Sequence, residues 1–217
     1  MKLYKSILFG IAVCGSSTSF AQDPLVSYIQ SGQAVPQWQA YVGNALNYFV
    51  PVENQQAKTP RGNLLVEPSS KDGNNDALRI TWKGKKVKNQ WGGNTLNDSF
   101  FALGKHKIDI AQVEDQAAIA IELKVNRSPS ENVFISMQCK YSNKCSGKIP
   151  IKHQLKKLPE QEWSMLTLPL NCFSHKSTMD FSQVTNIVSI STQGKLDIEV
   201  ANIGLVALPK GSKGCKS

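Results

Sequence analysis

The sequence predicts an all-β protein, a sandwich or jelly roll of about nine or ten short strands in a single domain. Three observations carry this. Apolar residues recur at every second position in run after run, which is the period of a half-buried strand. Almost nothing shows the 3.6-residue spacing of an amphipathic helix. Gly, Pro, Asn and Asp clusters separate the runs as they do in all-β folds, without the long helical segments that a parallel α/β sheet requires.

The elements follow in order. Lys2 and Lys5 precede an apolar run at 7–13 and small polar residues ending in Ser19-Phe20-Ala21. This reads as a secretory signal peptide over 1–21, cut after Ala21, and the run is too short to span a bilayer. Cys14 raises the alternative of a lipidated cysteine, which the bulk of Val13 directly before it disfavours. Residues 22–32 fit a helical turn or two around Leu25, Tyr28 and Ile29. After Pro36, Trp38, Ala40 and Val42 alternate with Gln39 and Tyr41. A short strand at 63–67 leads to a turn-rich loop at 69–76, then to a strand at 77–82 with Leu78, Ile80 and Trp82 on one face. Residues 83–93 form a lysine- and glycine-rich loop carrying Trp91.

Beyond it, 99–103 and 107–111 read as two short strands around Gly104. The cleanest alternation is 117–125, with Ile119, Ile121, Leu123 and Val125 inward. At 133–139, Val133, Ile135, Met137 and Cys139 share one face, with Phe134, Ser136 and Gln138 on the other. At 163–170, Leu166, Leu168 and Leu170 oppose Trp163, Met165 and Thr167. Strands at 184–191 and 195–200 are joined through Gln193-Gly194, and a parity flip between Val200 and Ile203 predicts a bulge or turn near Asn202. No repeat or composition shift divides the chain after residue 21, so 22–208 reads as one sandwich domain and 209–217 as a basic C-terminal tail.

Removing Lys2 and Lys5 takes the formal charge from +9 to +7, and only Arg61, Arg79 and Arg127 are arginines. Nucleic-acid recognition leans on arginine for bidentate contacts, so nucleic acid is not an expected partner. A solvated lysine-rich surface is the simpler reading. Attraction to an anionic polymer or cell surface is the sharper one, and salt would screen it. The four cysteines beyond the signal peptide are Cys139, Cys145, Cys172 and Cys215, an even number in an exported chain. The short loop favours a Cys139–Cys145 disulfide, which leaves Cys172 to pair with Cys215 or stay free. A zinc site does not fit the six-residue spacing and the lack of C-x-x-C or paired histidines.

Catalytic signals are sparse. His106 alternates with Ile108 and Ile110 and reads as part of a strand, while His153 and His175 sit among lysines and serines. No G-x-S-x-G or H-E-x-x-H occurs. Glycoside hydrolysis needs two carboxylates across the scissile bond, whereas Asp109, Glu114, Asp115 and Glu122 read as loop and strand-face residues. Asp72, Asn74 and Asp76 place oxygens at alternate positions, as calcium loops do. The glycine and glutamate of an EF-hand are missing, so a structural calcium competes with a plain polar turn, and the turn is preferred. No other cofactor is expected.

Trp38, Trp82 and Trp163 fall within apolar alternation and read as packing residues. Trp91 lies among Gln90, Gly92, Gly93 and Asn94, where an exposed indole beside amides suits a sugar: the ring covers pyranose C–H groups and the amides bond hydroxyls. Tyr141, in the loop between Cys139 and Cys145, is a second candidate.

One resemblance gathers these features. The stretch Asp76-Ala77-Leu78-Arg79-Ile80-Thr81-Trp82-Lys83-Gly84, residues 133–139 with Cys145, Leu158-Pro159 with Trp163, Leu168-Pro169-Leu170-Asn171-Cys172-Phe173 and Ser191-Thr192-Gln193-Gly194-Lys195-Leu196 resemble one known domain. It is the galactose-binding-like β-sandwich at the C-terminus of ExoP-type exo-β-glucanases, in family 3 of the glycoside hydrolases. The resemblance runs from about Trp38 to Leu208. It implies a carbohydrate-associated jelly roll and does not imply glucosidase activity, because the catalytic residues of those enzymes lie in other domains. Cys215 and the basic tail depart from the pattern. The expectation is therefore a secreted or periplasmic, non-catalytic module for a β-glucan or acidic glycan, with Trp91, Gln90, Asn94 and Tyr141 as contact residues. Docking on a separate secreted glycosidase or envelope protein is the second expectation, and a small hydrolase the third.

Overall fold

The structure, a computed structural model, describes residues 26–44, 49–84, 92, 98–175 and 177–215. Among them are fourteen strands: β1 (Ser27–Gln30), β2 (Gln33–Ala34), β3 (Gln39–Asn44), β4 (Val50–Pro51), β5 (Ala57–Lys58), β6 (Leu64–Ser69) and β7 (Ala77–Lys83) in the first half. The second half holds β8 (Ser99–Ile108), β9 (Ala117–Arg127), β10 (Val133–Cys139), β11 (Ser142–Pro150), β12 (Trp163–Pro169), β13 (Val184–Thr192) and β14 (Lys195–Ala207). Two short helices, α1 (Lys152–Lys157) and α2 (Asn171–Ser174), flank β12. The expected all-β sandwich is present, and its two sheets are antiparallel. One runs β12-β9-β14-β7-β6-β5, with β1 on β14 and β2 on β1. The other runs β11-β10-β13-β8-β3-β4.

The core fills the space between the sheets with the alternating residues that the sequence marks as inward. Ile80, Ile119, Ile121, Val125, Val133, Ile135 and Met137 are fully buried, and Leu166 and Leu168 nearly so. Trp82 is buried from β7, and its indole N–H donates across the sandwich to the Ser99 carbonyl at the start of β8. The register of β14 against β9 shifts between Val200 and Asn202, which is the expected bulge. Val200 and Ile203 both stay in the core because of it.

Four expectations need correction. Residues 27–30 are a strand and not a helical turn, because β1 pairs with both β14 and β2. Gly204 permits that approach, since a Cβ there would lie 2.7 Å from the Val26 carbonyl oxygen. The two strands expected around Gly104 are the single long strand β8. The strand count exceeds nine or ten because β1, β11 and the two-residue strands β2, β4 and β5 carry too few alternating positions to read. Trp163 is not a core residue. It shares the outward parity of Met165, only partly buried on the eight-stranded sheet, with the Lys71 and Lys124 ammonium groups 5.9 and 5.4 Å from its ring centroid.

That outer face carries a charge network. Arg79 donates twice to Asp197, Asn126 donates to both Asp197 and Glu199, and Lys124 and Lys71 pair with Glu199 and Glu122. Burial pushes Glu199 up, but the hydrogen bonds from Asn126, Ser69 and Lys124 carry it below the usual carboxylate range.

Both disulfides are formed: Cys139–Cys145 within the β10–β11 hairpin, and Cys172–Cys215. The second answers the open question about Cys172 and fastens the tail. The Cys215 N–H also donates to the side chain of Asn171, which itself donates to Asp115 and to the Lys213 carbonyl.

Candidate functional site

The strand order of the six-stranded sheet brings small residues into its centre. Tyr41 on β3 is registered with Ala102 on β8, which faces Ser189 on β13 and then Ser136 on β10. In the next row, Gln39 faces Gly104, then Asn186, then Gln138. All eight share the outer face. Glycine, alanine and serine make a low floor, and larger side chains rise on both sides.

The result is a groove of about 520 Å³ lined by Gln39, Tyr41, Phe49, Pro51, Gln138, Tyr141, Asn143 and Thr185. It continues into a second depression of about 390 Å³ that shares Tyr41, Phe49, Gln138 and Asn143 and adds Phe100, Asp98, Lys148 and Asn186. Tyr41, Phe49 and Phe100 form one aromatic wall, with pairwise centroid separations of 5.3, 6.2 and 5.9 Å. Phe49 is 59% exposed despite these contacts. Gly104 lets Tyr41 lie over β8, since a Cβ there would come within 3.1 Å of the phenol oxygen. Burial pushes the Tyr41 phenol up in pKa, and the hydrogen bond donated by the Asn186 amide at 2.7 Å works against that. The side-chain amide oxygen of Asn186 is buried with no hydrogen-bond partner among the described residues, an arrangement that costs about 1–3 kcal/mol.

Tyr141 forms the opposite wall. It is 68% exposed at the tip of the β10–β11 hairpin, where Lys140 and Tyr141 both take positive φ, 54° and 52°. Neither is glycine, so this two-residue turn is strained by roughly 1–2 kcal/mol per residue. Four contacts hold it: the disulfide, the Lys140 N–H on the Gln183 carbonyl, the Tyr141 N–H on the Thr185 hydroxyl, and the Lys140–Asp180 ion pair at 2.7 Å. The Asp180 carboxyl is lowered to about 2 by that lysine and by the Ser182 hydroxyl and N–H. Beside it, the Gln138 amide donates to Asn143, and the Lys148 ammonium rests 3.8 Å from the Phe134 ring centroid. Asp98 is the one carboxylate among the described residues of the groove. Burial raises its pKa, and Lys148 partly opposes this.

Of the sequence-expected contact residues, Tyr141 lines this groove. Trp91, Gln90 and Asn94 lie outside the described residues, in the segment that re-enters the described chain at Asp98. Tyr41, Gln39, Phe100 and Asn186 were not expected as contacts, although the outward parity of Tyr41, Gln39 and Gln138 is visible in the alternation. The calcium candidates form a closed turn. Asp76 accepts the N–H groups of Lys71, Asp72 and Gly73, and the Lys71 and Asp72 bonds chiefly hold its pKa below the usual carboxylate range. Asp72 pairs with Lys71. Among the described residues no group of three or more His, Cys, Asp or Glu could hold a metal.

The other polar candidates have structural partners. Asp109 caps the Ala111 N–H, Glu114 accepts from Ser174, and Glu122 from Asn202. His106 meets Trp38 edge-on at 6.0 Å, and His153 and His175 are exposed.

Two antiparallel sheets packed as a jelly roll are the architecture of a galactose-binding-like sandwich. The chain belongs to the ExoP C-terminal family of galactose-binding domain-like proteins, whose sequence profile matches residues 37–205. A search of curated protein sequences gave no significant match. Among solved structures, the extra C-terminal domain of the exo-1,3/1,4-β-glucanase ExoP from a Pseudoalteromonas species superposes with a TM-score of 0.66 at 13% identity, covering 88% of this chain and 99% of that domain. The whole ExoP enzyme matches with a TM-score of 0.64 at 14% identity, over 87% of this chain but only 21% of the enzyme. A family 30 carbohydrate-binding module of the Clostridium thermocellum cellulosomal cellulase Cel9D-Cel44B gives 0.56 at 13% identity, over 86% and 98%. No helix among the described residues is long and apolar enough to cross a membrane.

Proposed function

We propose that this chain is an exported, non-catalytic carbohydrate-binding module whose ligand lies along the groove of the six-stranded sheet. The observation that carries the reading is the convergence of Tyr41, Phe49, Phe100 and Tyr141 with the amides of Gln39, Gln138 and Asn143 on one open face. Flat rings cover the C–H faces of sugars, and amides both donate to and accept from hydroxyls. The relatives, a β-glucanase domain and a carbohydrate-binding module, support the same ligand class. Asp98 is the one carboxylate among the described residues of the groove, which supports binding over hydrolysis, a reaction that needs a second carboxylate. Among the described lining residues one carboxylate stands against one lysine, which favours a neutral glycan over an acidic one. Two disulfides and the signal-peptide-like start support a secreted or periplasmic location.

Affinity electrophoresis and calorimetry of the chain lacking residues 1–21 against mixed-linkage and β-1,3-glucans test this. Binding is expected, and Tyr141→Ala should weaken it roughly fivefold, about 1 kcal/mol, without lowering the melting temperature. No binding to any neutral or acidic polysaccharide would overturn the reading.

Docking on a separate secreted glycosidase is the second reading. It is favoured by the fact that the matched domain is about a fifth of the ExoP enzyme, and by exposed Val26, Met165 and Val206 on the other sheet. Pull-down from periplasm or medium with Met165→Glu as control tests it. Capture unaffected by that change would reject this surface.

A further inference from the structure

A third depression, about 670 Å³, opens where the edge of the six-stranded sheet meets the turns of the other sheet. Apart from the indole of Trp38, the polar side chains among its described residues are amides: Gln33, Gln39, Asn54, Gln55, Asn74 and Asn75. They come from four separate segments, namely β2, β3, the turn between β4 and β5, and the turn between β6 and β7. Among the described residues neither a carboxylate nor a cation lines it. Such a wall neither attracts nor repels charge. Every amide brings an acceptor; Gln39 and Gln55 have their N–H groups bonded to backbone carbonyls, and the others bring donors as well. Its chemistry is matched by a neutral polyhydroxylated ligand.

The depression is built by strained turns. Asn54, Gln55 and Asn75 hold positive φ of 49°, 61° and 57°. Left-handed residues other than glycine persist where surrounding structure holds them, and they gather at binding sites. Here Gln55 does the holding. Its amide donates to the Gly32 carbonyl at 3.2 Å and to the Asn75 carbonyl at 2.7 Å, so one side chain ties three turns together. Gly32 sits against Ala77, where a Cβ would meet backbone at 2.7 Å.

Gln39 connects this place to the groove, because it lines both. It stands two residues from Tyr41 on the same face of β3, a step of roughly 7 Å. Its amide is fixed by donation to the Ala40 and Val52 carbonyls. The track therefore runs from the aromatic walls, past a pinned amide, into an amide-lined end.

We infer that this depression is an additional subsite that takes neutral sugar units of the same glycan chain, so that the ligand is a polymer segment and affinity rises with its length. The inference rests on the proposed carbohydrate binding. Aromatic walls grip the first units by stacking, and the amide end adds hydrogen bonds only to chains long enough to pass Gln39.

The test is calorimetry with mixed-linkage 1,3/1,4-β-glucan oligosaccharides from two to six units, on the chain lacking residues 1–21. Three proteins are compared: the unaltered chain, Tyr141→Ala, and the double variant Asn54→Gly with Asn74→Ala. Glycine keeps the left-handed turn at position 54, and circular dichroism with thermal melts checks folding. Affinity of the unaltered chain should climb beyond three units. The double variant should lose roughly fivefold on the hexasaccharide and nothing on the disaccharide, whereas Tyr141→Ala should weaken every length. Binding that is flat with length, or an equal loss at all lengths in a folded double variant, would overturn the subsite and leave the groove standing. Binding at no length would overturn both.

Discussion

The two disulfides should separate stability from binding. Loop-closure entropy in the unfolded chain scales with the logarithm of the bridged separation. Cys139–Cys145 spans 6 residues and Cys172–Cys215 spans 43. The corresponding stabilisations are about 2 and about 4 kcal/mol. In a domain of this size that is a fall in melting temperature of roughly 4–8 °C for Cys139→Ala/Cys145→Ala and roughly twice that for Cys172→Ala/Cys215→Ala. Glycan affinity should run the other way. The short bridge clamps the strained turn that holds Tyr141 at the groove, whereas the long one fastens the tail to α2. Differential scanning calorimetry and binding calorimetry on the two double variants measure both quantities. If the tail variant lost affinity as much as the hairpin variant, or the hairpin variant bound normally, the account of Tyr141 as a positioned wall would fail.

Two further outcomes follow from single contacts. Gly147 on β11 lies under α2, where a Cβ would sit 2.0 Å from the Phe173 carbonyl oxygen. Gly147→Ala should therefore cost about 3 kcal/mol, seen as a lower denaturation midpoint, and an unchanged midpoint would contradict the close packing. Asp180 titrates near 2, below its ordinary 3.8, so the stability linked to it is complete above about 3.8 and fades as pH falls toward 2. In Lys140→Ala its NMR titration midpoint should rise, and a midpoint still near 2 would assign the effect to Ser182 alone.

Alternation made the core legible. Ile119, Ile121, Leu123 and Val125 could be placed inward because a strand has only two faces, and the flip between Val200 and Ile203 announced the bulge at Asn202. The start of β1 was misread because Leu25, Tyr28 and Ile29 fit a helical spacing, and only pairing with β14 makes 27–30 extended. The groove was half legible. Tyr141 stood out as an aromatic in a polar loop, and Gln39, Tyr41 and Gln138 could be read as outward. That they share one floor depends on β3, β8, β13 and β10 being neighbours, and the order of strands is a long-range property that no local pattern encodes. Trp163 shows the converse limit. Large aromatics favour burial, yet parity placed this one outside, where lysine ammonium groups flank its ring.

The borders of the two sheets have a consequence for crowding. The six-stranded sheet ends in β11 and β4, and the eight-stranded sheet ends in β12, β5 and, on its side branch, β2. Such edge strands are the natural template for joining another copy. Three of those five strands contain a proline: Pro51 in β4, Pro150 in β11 and Pro169 in β12. Proline offers no N–H and interrupts any added ladder. The other two, β2 and β5, are two residues long, and β5 ends in Lys58. Copies meeting side by side would thus do so at borders that resist zippering into a continuous sheet.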